Sequence, residues 1–185
     1  PVNEQLMTLL GFFLAGGSLS QRGGVRLAFG RRNQGRMEEM RQALVDVFGV
    51  EPVVYQGADG RAAELRVVHS VVAAAFRFVF GFDGARAHSK RIPDLVYNVT
   101  PELQRAFLRG YLLGDGTVSK NSLSWTTVSP QLASGLMHLL LAHGVMASHS
   151  VHAPAAPSAQ LVRGKPVAGR YPVHTVVVAA GDDVQ

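Results

Sequence analysis

The sequence predicts an α+β protein built of two similar halves, and three observations carry that prediction. Leu9-Leu10-Gly11-Phe12-Phe13-Leu14-Ala15-Gly16-Gly17 and Leu108-Arg109-Gly110-Tyr111-Leu112-Leu113-Gly114-Asp115-Gly116 share one register, 99 positions apart (115 − 16). Small residues recur four apart within each copy, Gly11 with Ala15 and Gly110 with Gly114. After each copy, stretches of period two and period 3.6 follow in the same order. Self-similarity of this kind at a fixed offset reads as a tandem duplication.

The first half covers 1–82. A helix is expected over roughly 3–16, ended by Gly16-Gly17. Val25, Leu27 and Phe29 then alternate with Arg26 and Ala28, the pattern of a half-buried strand that points Arg26 away from the core. Met37, Met40, Leu44, Val45 and Phe48 repeat at helical spacing, so 36–48 is an amphipathic helix stopped at Gly49. Residues 52–56 and 62–68 form a hairpin around Gly57-Ala58-Asp59-Gly60, and the apolar stretch 69–82 reads as a buried helix.

Residues 83–100 are a charged linker containing Pro93, and the second half covers 101–185. Pro101 stands at the first helical position behind Thr100, with Glu102 in the first turn; Leu103, Phe107, Tyr111 and Leu112 continue the period. Strands follow near 117–119 and at 122–128, with Leu123, Trp125 and Thr127 on one face. Leu132, Leu136, Leu139 and Leu140 define a helix over 130–143, ended by Gly144. Strands near 145–152 and 170–179 flank a loop, 153–169, rich in Ala, Pro and Gly. The first half closes with a helix where the second does not, so the chain reads as a piece of something longer.

Composition narrows the function. There are no cysteines, so disulfides and thiolate metal sites are excluded, and no apolar run is long enough to cross a membrane. No signal-peptide pattern is present. The formal net charge of +5 is unevenly distributed. No acid lies between Glu4 and Glu38, a window that holds Arg22, Arg26, Arg31, Arg32 and Arg36. None lies between Asp115 and Asp182, a window that holds Lys120, Arg163, Lys165 and Arg170. Two acid-free basic stretches, each just after a motif copy, suit a polyanion partner. Asp115 is an oddity of another kind: a carboxylate at the negative end of a helix dipole suggests a bound cation. A histidine metal site is not expected, because His138 and His143 are five apart on one helix and His149 and His152 fall on opposite faces of a strand.

The duplicated stretch resembles the motif of LAGLIDADG homing endonucleases, most nearly the endonuclease domain of an intein. The block Ser89-Lys90-Arg91-Ile92-Pro93-Asp94 is similar to the Lys-x-Ile-Pro block that precedes the second motif there, and 139–148 resembles a later helix-end block. The residues of a self-splicing junction are not seen on this chain. The resemblance implies two pseudo-symmetric αββαββα halves forming a saddle over double-stranded DNA, with the motif helices central. It implies Mg²⁺-dependent hydrolysis of phosphodiester bonds, with metal-bound acids at the ends of both motif helices and Lys90 neutralising developing charge. It also implies a monomer, since one chain supplies both halves, acting in the cytoplasm or wherever the host genome lies.

One position departs from that pattern. Gly16 stands where Asp115 has its counterpart, so the first motif has no carboxylate, and Glu4 lies about three helical turns away, roughly 18 Å along the axis. A two-carboxylate site at Asp115 and Gly16 is therefore half-built. Two other readings stay open on the same scaffold: a non-catalytic DNA-binding regulator, whose first motif resembles Leu14-Ala15-Gly16-Gly17-Ser18, and an RNA maturase.

Overall fold

Residues 1–20, 24–57, 62–82, 86–154, 161–162, 165–166 and 170–179 are described by a computed structural model, residues 161, 162, 165 and 166 by their backbone alone. They form a mixed helix and sheet protein with two four-stranded antiparallel sheets. The chain divides into two compact units, Pro1–Gly84 with Ile92–Gly116, and Ala85–Arg91 with Thr117–Gln185. Packing thus divides the chain differently from the repeat: the second motif helix belongs to the second copy by sequence and to the first unit by contact.

In the first unit, α1 (Glu4–Gly16) starts where the Asn3 side chain accepts a hydrogen bond from the Leu6 N–H, satisfying one orphan donor of the first turn. It is buried from Leu6 to Leu14, which explains its nearly continuous apolar run. β1 (Gly17–Leu19) follows at once, then β2 (Gly24–Phe29), α2 (Met37–Phe48), β3 (Val53–Gln56) and β4 (Ala63–Val68). Their sheet has the order β1-β2-β4-β3. Val25, Leu27, Phe29, Ala63, Leu65 and Val67 alternate into the core, as the period-two pattern requires. Gly49 ends α2 in the left-handed conformation, φ 65°, where a side chain would be strained.

The stretch 69–82 departs from the expected buried helix. An α-helical turn, α3 (Ser70–Ala74), runs into a π-turn at Ala75–Val79. The wider turn lets Phe76 and Phe80 both reach Phe48, with Phe13 also against Phe76. The cost is exposure on the opposite side: Phe78 is 79% exposed and Val79 71%. Composition alone could not separate a helix apolar all round from one that buries a single face.

The linker is partly structured. A short helix, α4 (Asp94–Tyr97), buries Val96, and Ile92 is buried as well. α5 (Pro101–Asp115) begins at Thr100, whose side chain makes no capping bond.

α1 and α5 pack backbone against backbone. A methyl group built on Gly11 would lie 2.1 Å from the Phe107 carbonyl oxygen, and one on Gly110 would lie 2.0 Å from that of Thr8. A turn further on, a methyl at Gly114 would lie 2.5 Å from Ala15 Cβ. The small residues are there because the approach leaves no room for anything larger. Burial of Phe12, Phe107 and Tyr111 around the contact supplies the apolar stabilisation.

In the second unit, β5 (Gly116–Ser119), β6 (Ser122–Thr127), α6 (Pro130–Ala142), β7 (Ser148–His152) and β10 (Val173–Ala179) form a sheet of order β5-β6-β10-β7 with α6 on one face. Trp125 and Val176, directly paired, are buried under Leu132, Ala133, Leu136 and Leu139. Ser129 caps α6, accepting from Leu132 N–H, and Gly144 follows the helix at φ 73°. Within the expected loop 153–169 a small antiparallel pair, β8 (Leu161–Val162) and β9 (Lys165–Pro166), is described. The hairpin turn at 58–61, linker residues 83–85 and the chain end at 180–185 lie outside the described residues.

The Gly110→Ala variant is expected to lose about 2 kcal/mol or more of stability, since its methyl must force two backbones apart. A chemical denaturation curve for Gly110→Ala matching that of the parent would overturn the backbone-contact account.

Candidate helix-end site and nucleic-acid interface

The two motif helices end together. With Gly114 against Ala15, the next residues are Asp115 on α5 and Gly16 on α1, both exposed. The chain leaves each helix through a glycine whose absent side chain is again a matter of space. A methyl on Gly17 would lie 2.2 Å from the Phe13 ring, and one on Gly116 would lie 2.3 Å from Leu112 Cδ1. Gly16 itself is less constrained: its φ is not left-handed, and a methyl there would meet only the Ala28 carbonyl, at 3.2 Å. A side chain at Gly16 would require that carbonyl to give by a few tenths of an ångström.

One residue at this end was not singled out from sequence. Asn33, in the turn after β2, accepts from the Gly30 N–H through Oδ1 at 2.8 Å and donates from Nδ2 to the Gly114 carbonyl at 3.2 Å. It ties the turn to the last residue before Asp115, satisfying one of the carbonyls a helix end leaves open. The only sequence signal was an Asn four residues beyond a strand, which usually marks no more than a local turn. Nearby, burial pushes the Tyr111 phenol up, and the Asp115 charge adds to the shift.

The outward face of the first sheet carries a guanidinium–carboxylate–guanidinium cluster. Register places Ser18, Arg26, Arg66 and Val53 in one row, and Ala28, Glu64 and Tyr55 in the next. Arg26 Nη2 donates to Glu64 Oε1 at 2.5 Å, Arg66 Nε and Nη2 reach Glu64 Oε2 at 2.8 and 2.7 Å, and the Arg66 guanidinium lies 4.1 Å over the Tyr55 ring. The Arg26 hydrogen bond holds the Glu64 carboxyl below its ordinary range; desolvation opposes this and Arg66 reinforces it. Arg26 faces away from the core, as its alternation predicted, and Arg66 was missed. The same alternation, Ala63-Leu65-Val67 inward and Glu64-Arg66 outward, was there to find it.

The remaining basic residues scatter. Arg31 and Arg32 are exposed in the turn after β2, whereas Arg36 pairs with Glu39 across 3.5 Å on the α2 side. In the second unit Lys120 is exposed at the β5–β6 turn and Arg170 is exposed ahead of β10. Lys90 is half-buried, its carbonyl accepting from the Ser129 hydroxyl at 2.5 Å. Arg22 and Arg163 lie outside the described residues, as does the side chain of Lys165. His149 and His152 do take opposite faces of β7; His149 instead stacks on His174, with ring nitrogens 3.1 Å apart.

Residues 102–163 match the family model of the LAGLIDADG-like domain. Over these residues, about a third of the chain, the sequence resembles that domain. Its fold is similar to that of the homing endonuclease I-DmoI, solved in complex with DNA and Mn, at a TM-score of 0.60 and 16% identity over 96% of this chain and 90% of that one. It is similar to full-length DUF199/WhiA from Thermatoga maritima at a TM-score of 0.60 and 12% identity, over 98% of this chain and 52% of that one. Among curated proteins, the ATP-dependent DNA helicase Hel308 of Thermococcus kodakarensis is 27% identical over 155 residues, covering 80% of this chain and 14% of that protein. The chain spans about a quarter or less of the length of the first curated relatives it matches.

I-DmoI has been solved with Mn, Mg or Ca. At the two helix ends the one carboxylate among the described residues is Asp115. Among the described residues no three of His, Cys, Asp or Glu come together. One carboxylate with carbonyls and water suits a hard divalent cation that takes its other ligands from a substrate phosphate, and not a closed site made by protein alone.

Asn33→Ala should remove the acceptor of the Gly30 N–H and the donor to Gly114, costing about 1 kcal/mol. Amide exchange at Gly30 should accelerate while exchange in the middle of α5 does not. Unchanged exchange at Gly30 would show that Asn33 does not hold the turn.

Proposed function

We propose that this chain is a double-stranded DNA-binding LAGLIDADG domain of homing-endonuclease type whose cleavage is impaired by the loss of one catalytic acid. The observation that carries the reading is the pair of helix ends, where Gly114 packs on Ala15 and the next residues are Asp115 and Gly16. A two-strand hydrolysis needs acids near both scissile phosphates, and this chain offers one.

Each residue then has a chemical role. Asp115, with backbone carbonyls at the Gly16 position, would hold Mg²⁺ together with a DNA phosphate. When bound, such an ion supplies charge for the phosphoryl oxygens and acidifies a water. Asn33 fixes the end of the helix that bears Asp115. Lys90 is proposed to neutralise charge developing on the phosphate, from the likeness of its Ser-Lys-Arg-Ile-Pro block. Arg26, Arg31 and Arg32 supply phosphate or guanine contacts, with Lys120 and Arg170 as phosphate contacts elsewhere on the chain. Arg22, Arg36, Arg163 and Lys165 are secondary candidates.

An embedded, intein-type origin is supported by coverage. The match to I-DmoI spans nearly all of both chains, while the match to the helicase is a 14% portion of a much longer protein. A domain of one size that stands alone in one protein and forms part of another behaves as a transferable unit. Both motif copies lie in one chain, which favours a monomer. The competing reading, binding without any cleavage, is favoured by Gly16 alone.

Two measurements test the reading. Affinity for double-stranded DNA should fall steeply with salt, and Arg31→Gln with Arg32→Gln should flatten the log–log slope by about one per residue. Gly16→Asp should raise Mg²⁺-dependent cleavage of a DNA selected for binding by about 10²-fold, with binding unchanged. Efficient two-strand cutting by the parent chain, with no gain from Gly16→Asp, would overturn the assignment of the missing acid. Salt-insensitive binding would overturn the interface.

A further inference from the structure

The outward faces of the two sheets differ in chemistry, although the halves repeat in sequence. On the first sheet that face carries Arg26, Glu64, Arg66 and Tyr55 as one connected cluster. On the second sheet, register assigns Ser122, Ser124, Thr126, Thr175, Ser148 and Ser150 to the face opposite Trp125, together with Val173, Val177 and His152. No Lys, Arg, Asp or Glu stands on it among the described strand residues.

We propose that the two sheets read opposite kinds of base sequence: the Arg26–Glu64–Arg66 face selects G·C pairs, and the hydroxyl-and-valine face of the second sheet selects A·T pairs through thymine methyl groups. The inference rests on the DNA-binding reading above and adds to it the class of sequence each half takes.

The first assignment follows from how Arg66 is held. Glu64 takes Nε and Nη2, and Tyr55 lies against the flat of the guanidinium. A guanidinium carries five N–H donors, so a fork for the O6 and N7 acceptors of guanine remains after Glu64 is satisfied. An arginine already fixed by a carboxylate and a ring loses less rotamer freedom on docking than a loose one. Glu64 stays ionised because two guanidiniums share it, and among the described residues the cluster holds no second, unanchored carboxylate that would repel phosphate.

The second assignment follows from size and neutrality. Ser and Thr hydroxyls donate or accept, so they accommodate several base edges without choosing strongly among them. Choice is left to the apolar groups, and Val173 and Val177 stand on the same face as these hydroxyls. Methyl-to-methyl contact with thymine is the readout available to a valine in the major groove. Short side chains also let the strands approach the base edges closely.

Selection from a randomised double-stranded DNA library tests this with the chain as it stands, followed by binding assays on the enriched sequence. The expected result is a site with G·C preference in one half and A·T preference in the other. Arg66→Ala should reduce discrimination at one or two G·C positions about tenfold and leave the A·T half unchanged. Arg66→Lys should not rescue it, since an ammonium cannot form the bidentate fork. Thr126→Arg, an exposed position on the second sheet, should add a G·C preference within the A·T half. Thermal melts of the variants separate misfolding from altered reading. A site of uniform composition, or one whose G·C positions ignore Arg66→Ala in a folded variant, would overturn the proposal while leaving DNA binding intact. No enriched sequence at all would overturn the DNA-binding reading and this inference with it.

Discussion

The backbone contact between α1 and α5 at Gly11 and Gly110 constrains the structure around it. Carbonyl oxygens of Phe107 and Thr8 occupy the space in which a methyl would stand. Nearly everything at the candidate site follows from that approach. It aligns the two helix ends, so that Ala15 meets Gly114 and the following residues are paired by position. Each terminal glycine is held by its own helix, because Gly17 and Gly116 turn the chain directly into a strand against Phe13 and Leu112. The motif is thus a packing device first. Asp115 and Gly16 are the exposed residues that follow that contact.

That separation explains how glycine at position 16 is compatible with the helix packing. The position is exposed, and a methyl there would meet the Ala28 carbonyl at 3.2 Å. The outward face of the first sheet is likewise independent of it. The Arg26–Glu64–Arg66 cluster is built by strand register within the first sheet and owes nothing to the residue at the helix end. The helix end and the sheet face are therefore open to separate substitution.

Net charge was a coarser guide than its pairing. Arg41 is shared by Glu38 and Glu51, Arg109 pairs with Glu39, and Arg105 pairs with Glu102. These solvent-exposed pairs contribute little to stability. Their consequence is electrostatic: positive charge around α2 and along α5 is matched locally by acid, whereas the turn after β2 carries Arg31 and Arg32 in an acid-free stretch of sequence. The contrast between acid-free and acid-matched segments, visible in the order of residues, carried more information than the total of +5.

The sequence by itself determined the α+β class, the tandem motif, the order of helices and strands, and the glycine stops at Gly49 and Gly144. These are local properties: periodicity, a required positive φ, and repeated spacing are all written within a few residues of where they act. It also paired Asp115 with Gly16, since both belong to the motif register. Tertiary structure alone decided the partnerships. Arg26 meets Glu64 across 38 residues, and Asn33 meets Gly114 across 81. Strand register and helix approach set those distances, and neither is encoded near the residues concerned. The π-turn at Ala75–Val79 was decided in the same way. A run of apolar residues leaves its winding open, and the rings of Phe13 and Phe48 select the turn that brings Phe76 and Phe80 to one side.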